Sequence, residues 1–575
     1  MSHEEANSNQ VWLRRRRDGS PSWTAHYQPG VPHEIEMPDE SLVSMVETAC
    51  RQGGSKIATD FFGATINYRS LGEQINRAAE GLRRLGVNAG DRVALALPNC
   101  PQHLIAFHAI MRLGAVAVEH NPRYTANELQ TIFEDHGARY AIVMDTVIDT
   151  LNQMPSYARP STIISVDITK AMPAKMRWLL KIPFGKAKKM RAKLTNGAKG
   201  NLSWENLLKH RPIANKYRKP KVDDLACIQY TSGTTGRPRG VMLTHRNLFA
   251  NARQGEAWMF GAKVGKEVNY AVLPMFHAFG MTLHLTFGIL KQSRQVLFPV
   301  PDVEMILTAA GRIPPTIFCV VPAIYQAIAE KAQQRGIDLS SARFCISGAM
   351  ALIDSTRQLW ESVSGGLLVE GYGLTEASPV ALGNPFFPGR KSGTIGVPFP
   401  STQMRVVDPS DPTREVEMGE SGELLLKGPQ VFQGYWNDPD ATADVLVDGW
   451  LRTGDIVQVD DDGFVTIVDR KKEIIITGGF NVSPTEVEKV LIAHEAIRDI
   501  AVVGCPTGLG DEEVVAVVIA NDGYGIDSNE IRSWAKERLA AYKVPRRFVQ
   551  VDDLPRSILG KVLRGQVRAD LIDRE

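Results

Sequence analysis

Short apolar runs alternate with helical periodicities along the first 150 residues. Ile75, Ala78, Leu82 and Leu85 recur on one helical face, behind Ser70 and Glu73 in capping-box spacing, which predicts the helix start there. The run 91–97 (DRVALAL) predicts a strand, 102–113 a helix, 115–118 a strand, 125–135 a helix and 139–144 a strand. Strands separated by helices predict a parallel sheet, because parallel neighbours need a crossover that a helix supplies. Near Lys471 the character changes. A strand over 473–477 and a turn at Gly478-Gly479 precede Ser483-Pro484-Thr485-Glu486, a helix start with a cap, a proline first and a glutamate third. Strands over 500–503 and 514–519, a helix over 529–541 and a strand over 547–551 follow. The expected fold class is α/β: a flexible tail over 1–30, a large N-terminal α/β domain over 31–469 and a small α+β domain over 470–575.

Composition narrows the class. The 575 residues are 43% hydrophobic and 23% charged, which excludes a disordered chain, a collagen-like fibre and a coiled coil. Lys and Arg (66) nearly balance Asp and Glu (64), so no nucleic-acid partner is expected for the chain as a whole. Cys50, Cys100, Cys227, Cys319, Cys345 and Cys505 form no C-x-x-C pair, which argues against zinc and a disulfide framework and fits a reducing cytoplasm. The polar N-terminus, with Arg14 to Arg17 in a row, lacks the apolar stretch of a secretory signal. The uncharged run 269–290 is long enough to span a bilayer, but Pro274, His277, Gly280, His284 and Gly288 would be costly in lipid, so no span is expected.

The segment 168–204 stands apart. It carries ten basic residues and no acidic one, and removing those ten from the net +2 leaves −8 on the rest. Met172, Met176, Trp178, Leu179, Leu180, Ile182 and Phe184 are interleaved with the charges. Two readings stay open: a peripheral contact with an anionic membrane at its inner face, or a solvated surface insertion.

The densest chemistry lies at 230–240 (YTSGTTGRPRG). Apolar runs flank it, so the loop is expected to join two strands. It lacks the Walker order. Gly233, Gly236 and Gly240 let backbone N–H groups converge on an anion, Thr231, Ser232, Thr234 and Thr235 add hydroxyl donors, and Arg239 adds a fixed positive charge. The bland alternative is a Gly/Thr-rich hairpin with no ligand, which so many donors beside a cation make the poorer account.

Here the chain resembles the adenylate-forming enzymes, which include acyl-CoA synthetases, over roughly residues 42–564. Several motifs occur in the family's order. The family's usual loop ends in Lys-Gly, where this chain has Arg239-Gly240. Gly371-Tyr372-Gly373-Leu374-Thr375-Glu376 resembles the adenine and magnesium motif, and Ser347-Gly348-Ala349-Met350 the segment beside the adenine. Residues 448–472 (DGWLRTGDIVQVDDDGFVTIVDRKK) resemble the fatty acyl-CoA synthetase signature, and Leu554 to Lys561 the C-terminal catalytic loop. Phe276-His277-Ala278-Phe279-Gly280 resembles the motif beside the acyl site; His277 is read as a phosphate contact, as a wall of the acyl channel or as a core histidine.

The resemblance implies a β-barrel-like part in the large domain and mobility of the small one. It implies a two-step reaction: a fatty acid, long- or medium-chain, forms acyl-AMP from ATP with loss of pyrophosphate, and the acyl group then moves to coenzyme A. Aryl acids, or loading of a carrier protein, are the rival substrates and acceptors; an inactive membrane-associated nucleotide-binding protein is the rival class. ATP would be held by Thr231, Ser232, Gly233, Thr234, Thr235, Gly236, Arg239, Gly348, Ala349, Gly371, Tyr372, Gly373, Thr375, Asp455, Arg470 and Lys561. The catalytic set would be Lys561, Thr375, Glu376, Arg239 and His277, with Mg2+ at Glu376 and Thr231. Lys472 would be the hinge, Gly478, Gly479 and Phe480 would border the coenzyme A path, and a homodimer is plausible by resemblance.

Overall fold

The run expected at 91–97 is the strand Arg92–Ala96, flanked by the parallel strands Val116–Glu119 and Tyr140–Met144. Val93, Ala94 and Leu95 are buried. A strand covered on both faces has no solvent side, so its sequence is continuously apolar. The computed structural model describes residues 14–16, 18–182, 185–197, 202–231, 238–417, 419–470, 473–477, 480–507, 512–557 and 560–572. They fall into two units: Thr24–Gln403 with Lys427–Leu451, and Met1–Trp23 with Met404–Leu426 and Arg452–Glu575.

The larger unit holds two sheets. One has eight strands in the order Gly434–Tyr435, Arg239–Thr244, Leu225–Thr231, Val116–Glu119, Arg92–Ala96, Tyr140–Met144, Thr162–Val166 and Leu202–Ser203. It is parallel from Leu225–Thr231 onward and antiparallel at the edge formed by the first three strands. The other has nine strands. Its middle, from Ile57–Phe61 to Leu368–Gly373, is parallel, and both ends are closed by antiparallel neighbours. Tyr270, Phe318, Tyr325 and Trp360 pack beneath this sheet, with the Phe318 and Trp360 rings stacked 5.2 Å apart. Each such burial stabilises the fold by about 1.5–3 kcal/mol.

In the smaller unit, Val465–Arg470 pairs antiparallel with the second half of Trp450–Val459. Further on, Ile497–Pro506 and Glu512–Ala520 form an antiparallel pair that Arg547–Gln550 extends in parallel. Alternation along these strands sorts the core onto two faces. Val502, Val514 and Val518 meet Val487 and Ile531, whereas Val503, Val515 and Val517 meet Val567 and Leu571. This is the expected small α+β part.

Three local expectations change, and the one for 269–290 holds. The helix Tyr68–Arg84 starts earlier than Ser70: Asn67 is its cap and accepts from Ser70 N, while Glu73 pairs with Arg77 one turn on. The helix expected over 529–541 is Ser528–Lys536, and Ala541–Lys543 forms a separate turn ahead of Pro545. The proline disfavours helix in the residue before it. The tail over 1–30 is not free throughout: within the larger unit Tyr27 is 6% exposed and its hydroxyl donates to Pro398 O, 2.6 Å away. The uncharged run 269–290 is a buried strand end followed by the helical turns Ala278–Gly280, Met281–Phe287 and Gly288–Leu290. No helix among the described residues is long and apolar enough to cross a membrane. All six cysteines are free and buried.

Candidate active site

The loop at 230–240 does join two antiparallel strands, Leu225–Thr231 and Arg239–Thr244, with Thr231 opposite Arg239. Ser232, Gly233, Thr234, Thr235 and Gly236 lie outside the described residues. The base of the loop is built tightly. Gly240 N–Cα has no room for a side chain: a Cβ there would stand 2.9 Å from Ile228 and 3.1 Å from Trp436. The edge segment Gly434–Tyr435 closes on it, with Trp436 N donating to Gly240 O (2.7 Å) and Gln433 N to Met242 O (3.0 Å). On the other flank Tyr230 donates its hydroxyl to Asp135, 2.6 Å away.

Arg239 emerges beside Tyr435. Its guanidinium carbon sits 5.3 Å from the Tyr435 ring centroid, and its Nε lies 3.6 Å from Asp438 Oδ2. Asp438 also caps the helix Pro439–Val445 by accepting from Ala441 N. The Tyr435 hydroxyl donates to Glu376 Oε1 at 2.8 Å. Burial first, and then the negative charge of Glu376, push the Tyr435 phenol well up, so it stays protonated. Glu376 follows Thr375 in the short turn Thr375–Ala377, at the end of the strand Leu368–Gly373, and Phe432 N donates to the Glu376 carbonyl. The cation expected to meet phosphate and the expected magnesium carboxylate are thus brought to one cluster.

Close approach explains the glycines of the neighbouring motif. A Cβ on Gly373 would meet Pro379 O at 2.2 Å, and one on Gly348 would meet the Phe279 ring at 2.8 Å. The second contact joins the His277 segment to the Ser347–Met350 segment. Ala349 takes a left-handed backbone, φ 68°, just past the strand Phe344–Ser347. Tyr372 is 8% exposed, so most of its ring is covered; Gly371 lies beside it in the same strand. His277 caps the turn Ala278–Gly280, with Nδ1 accepting from Phe279 N at 3.4 Å. The residue keeps an exposed surface although protein crowds around it. That surrounding bulk pushes its pKa down to about 4, which makes it a neutral imidazole near pH 7. Met281 is fully buried, with its sulfur 3.3 Å from Gln229 Nε2.

Two further residues brace these segments. Asn99 Nδ2 donates to Ala271 O and Leu273 O (2.8 Å each), and its Oδ1 accepts from Met275 N (2.8 Å), which fixes the approach to His277. Glu370 precedes Gly371 and accepts from Gly393 N at 3.1 Å and from Leu352 N; burial, the leading cause, raises its pKa to about 7. Sequence reasoning missed Asn99, Glu370, Tyr435 and Asp438. The only signal was local: Asp438-Pro439 is a helix-start pattern, and it gives no hint of Arg239.

The smaller unit gathers the other charges. Asp455 is 2% exposed and Arg470 Nε lies 2.9 Å from its Oδ1, the two facing one another across the strand pair. Lys561 stands in a tight turn closed by Ser557 N to Lys561 O (2.7 Å) and Lys561 N to Ser557 Oγ (3.2 Å). Burial first, then repulsion from Arg470, lower its pKa, against the pull of Glu473 and Asp455. Arg470, Asp455 and Lys561 therefore share one electrostatic neighbourhood. Lys472, Gly478 and Gly479 lie outside the described residues, and Phe480 is described only as backbone of the strand Phe480–Val482.

Two mostly parallel sheets, with Arg239, Tyr435, Glu376 and Asp438 gathered at the antiparallel edge of one of them, define a nucleotide-handling α/β enzyme. The chain belongs to the AMP-binding enzyme family, whose model matches residues 46–436; the family's C-terminal domain matches 486–561. It is 36% identical over 554 residues to a long-chain-fatty-acid–CoA ligase of Bacillus subtilis, covering 94% of this chain and 96% of that one. The crystal structure of the anthranilate CoA ligase AuaEII with anthranoyl-AMP matches with a TM-score of 0.79 at 26% identity, over 94% of this chain and 99% of that one. ATP-bound MatB from Rhodopseudomonas palustris matches with a TM-score of 0.79 at 28% identity, over 92% and 99%.

Proposed function

We propose that the protein is an ATP-dependent acyl-CoA synthetase. It joins a fatty carboxylate to AMP with loss of pyrophosphate, then passes the acyl group to the sulfur of coenzyme A with loss of AMP. The observation that carries this reading is the cluster of Arg239, Tyr435 and Glu376 at the base of the 230–240 loop. In the first step one anion attacks another, so charge neutralisation and alignment matter more than acid–base chemistry. Thr231, Ser232, Gly233, Thr234, Thr235 and Gly236 cradle phosphates in this reading. Arg239 and Lys561 supply charge, and Thr375 donates to the α-phosphate. Gly348, Ala349, Gly371, Tyr372 and Gly373 bound the adenine, and Asp455 with Arg470 takes the ribose. His277, neutral, lines the approach of the acyl carboxylate or contacts phosphate.

The residues fit Mg2+. Tyr435 engages Oε1 of Glu376, which leaves Oε2 as a hard ligand, and Thr231 adds a hydroxyl. Among the described residues no group of three or more His, Cys, Asp or Glu could cage a metal, which suits a cation held chiefly by phosphate and water. Bound there, Mg2+ supplies positive charge against the departing pyrophosphate.

For the second step, domain 470–575 turns on domain 31–469 about Lys472. Lys561 leaves, and the thiol arrives past Gly478, Gly479 and Phe480. Long- or medium-chain acids are the preferred substrates, in line with the Bacillus relative. An aryl acid is the second reading, favoured by the likeness to the anthranilate ligase. The basic insertion supports peripheral contact with the inner face of an anionic membrane from the cytoplasm: its helices Ala174–Leu180 and Gly185–Leu194 carry Trp178, 68% exposed, among lysines. A homodimer belongs to the same reading.

Pyrophosphate release and thioester formation, measured over saturated acids of increasing length and over benzoate and anthranilate, test the proposal. Thioester with free coenzyme A and a long alkyl acid is the expected result. Acyl-AMP without thioester would point to a carrier-loading enzyme, and no pyrophosphate from any acid would overturn the reading.

A further inference from the structure

We infer that Tyr435 is a positioning residue that couples Arg239 to Glu376. The inference rests on the nucleotide-binding reading of this site.

Tyr435 is held on several sides. Its backbone pairs with Val241 at the edge of the eight-stranded sheet, and its N–H donates to Thr442 Oγ1 at 2.9 Å. Its ring meets Phe432 edge-on at 5.0 Å. The same short segment grips Glu376 twice, through Phe432 N to the Glu376 carbonyl (2.8 Å) and through the Tyr435 hydroxyl to Oε1 (2.8 Å). The phenol therefore fixes one carboxylate oxygen and does not engage the other.

The ring of Tyr435 does a second job. A guanidinium is planar and weakly hydrated, so it settles against an aromatic ring and keeps donors free at its edge; an ammonium is a compact, strongly hydrated point charge. Arg239 lies against Tyr435 with Asp438 on its other side. Without Tyr435, Arg239 and Glu376 carry opposite charges on the same patch with no spacer between them. A direct pair would tie up the carboxylate meant for metal. Tyr435 stands between them, its hydroxyl bonded to Glu376 and its side chain also engaged by Arg239.

ATP binding to the full chain, measured by titration calorimetry with and without Mg2+, tests this without relying on turnover. In the unaltered protein Mg2+ should tighten ATP binding. Tyr435→Phe keeps the ring and removes the hydroxyl. It should reduce that Mg2+ enhancement about tenfold, the scale of a hydrogen bond to a charged group, and change Mg2+-free binding far less. Asp438→Asn removes a negative charge beside Arg239, so it should tighten Mg2+-free binding and spare the enhancement. Arg239→Lys combined with Tyr435→Phe should show losses that do not add, as expected for residues in contact. Thermal melting of each variant shows that it is folded. If the unaltered protein binds no ATP, the reading of the site falls. If it binds with a Mg2+ enhancement that Tyr435→Phe leaves intact, the coupling role of Tyr435 is overturned while the site stands.

Discussion

Asp455 and Arg470 face one another across an antiparallel strand pair, with Oδ1 and Nε 2.9 Å apart. The carboxylate side chain is only 3% exposed while the guanidinium side chain is 46% exposed. A carboxylate accepts at both of its oxygens, which suits two vicinal hydroxyls of a sugar. Asp455→Asn keeps the shape and removes the charge. Because Arg470 reaches water, its loss of a partner should cost no more than about 1 kcal/mol of stability. The KM for ATP should rise by about tenfold or more, with kcat changing less. Steady-state kinetics with varied ATP decides this; an unchanged KM would mean that the pair is only a brace for the sheet.

In the proposed reaction Lys561 serves the first half and not the second. Burial and Arg470 lower its pKa, while Asp455 and Glu473 favour its charge. Lys561→Ala should depress acyl-AMP formation by about a hundredfold or more, the scale of removing one charge-stabilising group. Thioester formation from supplied acyl-AMP should change only a few-fold. Single-turnover assays of each step make the comparison. Equal losses in both would sink the rotation proposed about Lys472.

Much of this arrangement was legible in the chain because local chemistry and global fold agree. The strand at 92–96 and the cap at Ser483 need only their own neighbours to be recognised. The two strands around the loop follow from apolar runs on either side of it. What was not legible depends on distant pairing. Tyr435 meets Glu376 across 59 positions of sequence, and Asn99 meets Met275 across 176. No periodicity encodes such contacts. The Ser70 capping box was misjudged for the opposite reason: Asn67 competes for the same N–H and wins, since it stands at the true strand-to-helix corner.

His120 and His136 form a buried pair, Nε2 to Nε2 at 3.0 Å. His136 Nδ1 accepts from Ala138 N (2.9 Å), so its proton sits on Nε2 and is donated to His120, whose Nδ1–H reaches Val118 O (2.8 Å). Every site is satisfied with both rings neutral, and an added proton would set two N–H groups against each other. Burial first lowers both, His120 to about 4. A depressed pKa contributes stability that is present above the unfolded value of 6.5 and lost as pH falls toward 4. For His120 this amounts to roughly 3 kcal/mol. Melting temperature should fall over that range, and His120→Gln should fall less steeply from a lower start. Parallel curves for both proteins would contradict this account.

The basic insertion offers the last test. It is tied down at both ends: Asp167 accepts from Thr169 N (3.0 Å) and Lys170 pairs with Glu205 (2.7 Å) on one side, while Asp145 holds Thr195 and Gly197 on the other. Between these anchors Trp178 is 68% and Leu179 38% exposed beside Lys175 and Arg177. An apolar ring and a leucine amid cations suit insertion at a lipid headgroup boundary, with each lysine or arginine near an anionic surface adding about 1 kcal/mol of attraction. Neutralising Lys186, Lys188, Lys189 and Arg191 together should weaken binding to anionic vesicles by about a hundredfold or more at low salt, and Trp178→Ser should weaken it further at any salt. Turnover on a short, soluble acid should not change, because these residues lie outside the proposed catalytic set. Co-sedimentation with vesicles of rising anionic lipid content measures the first effect. Binding that is indifferent to both substitutions would leave the helices as a solvated insertion.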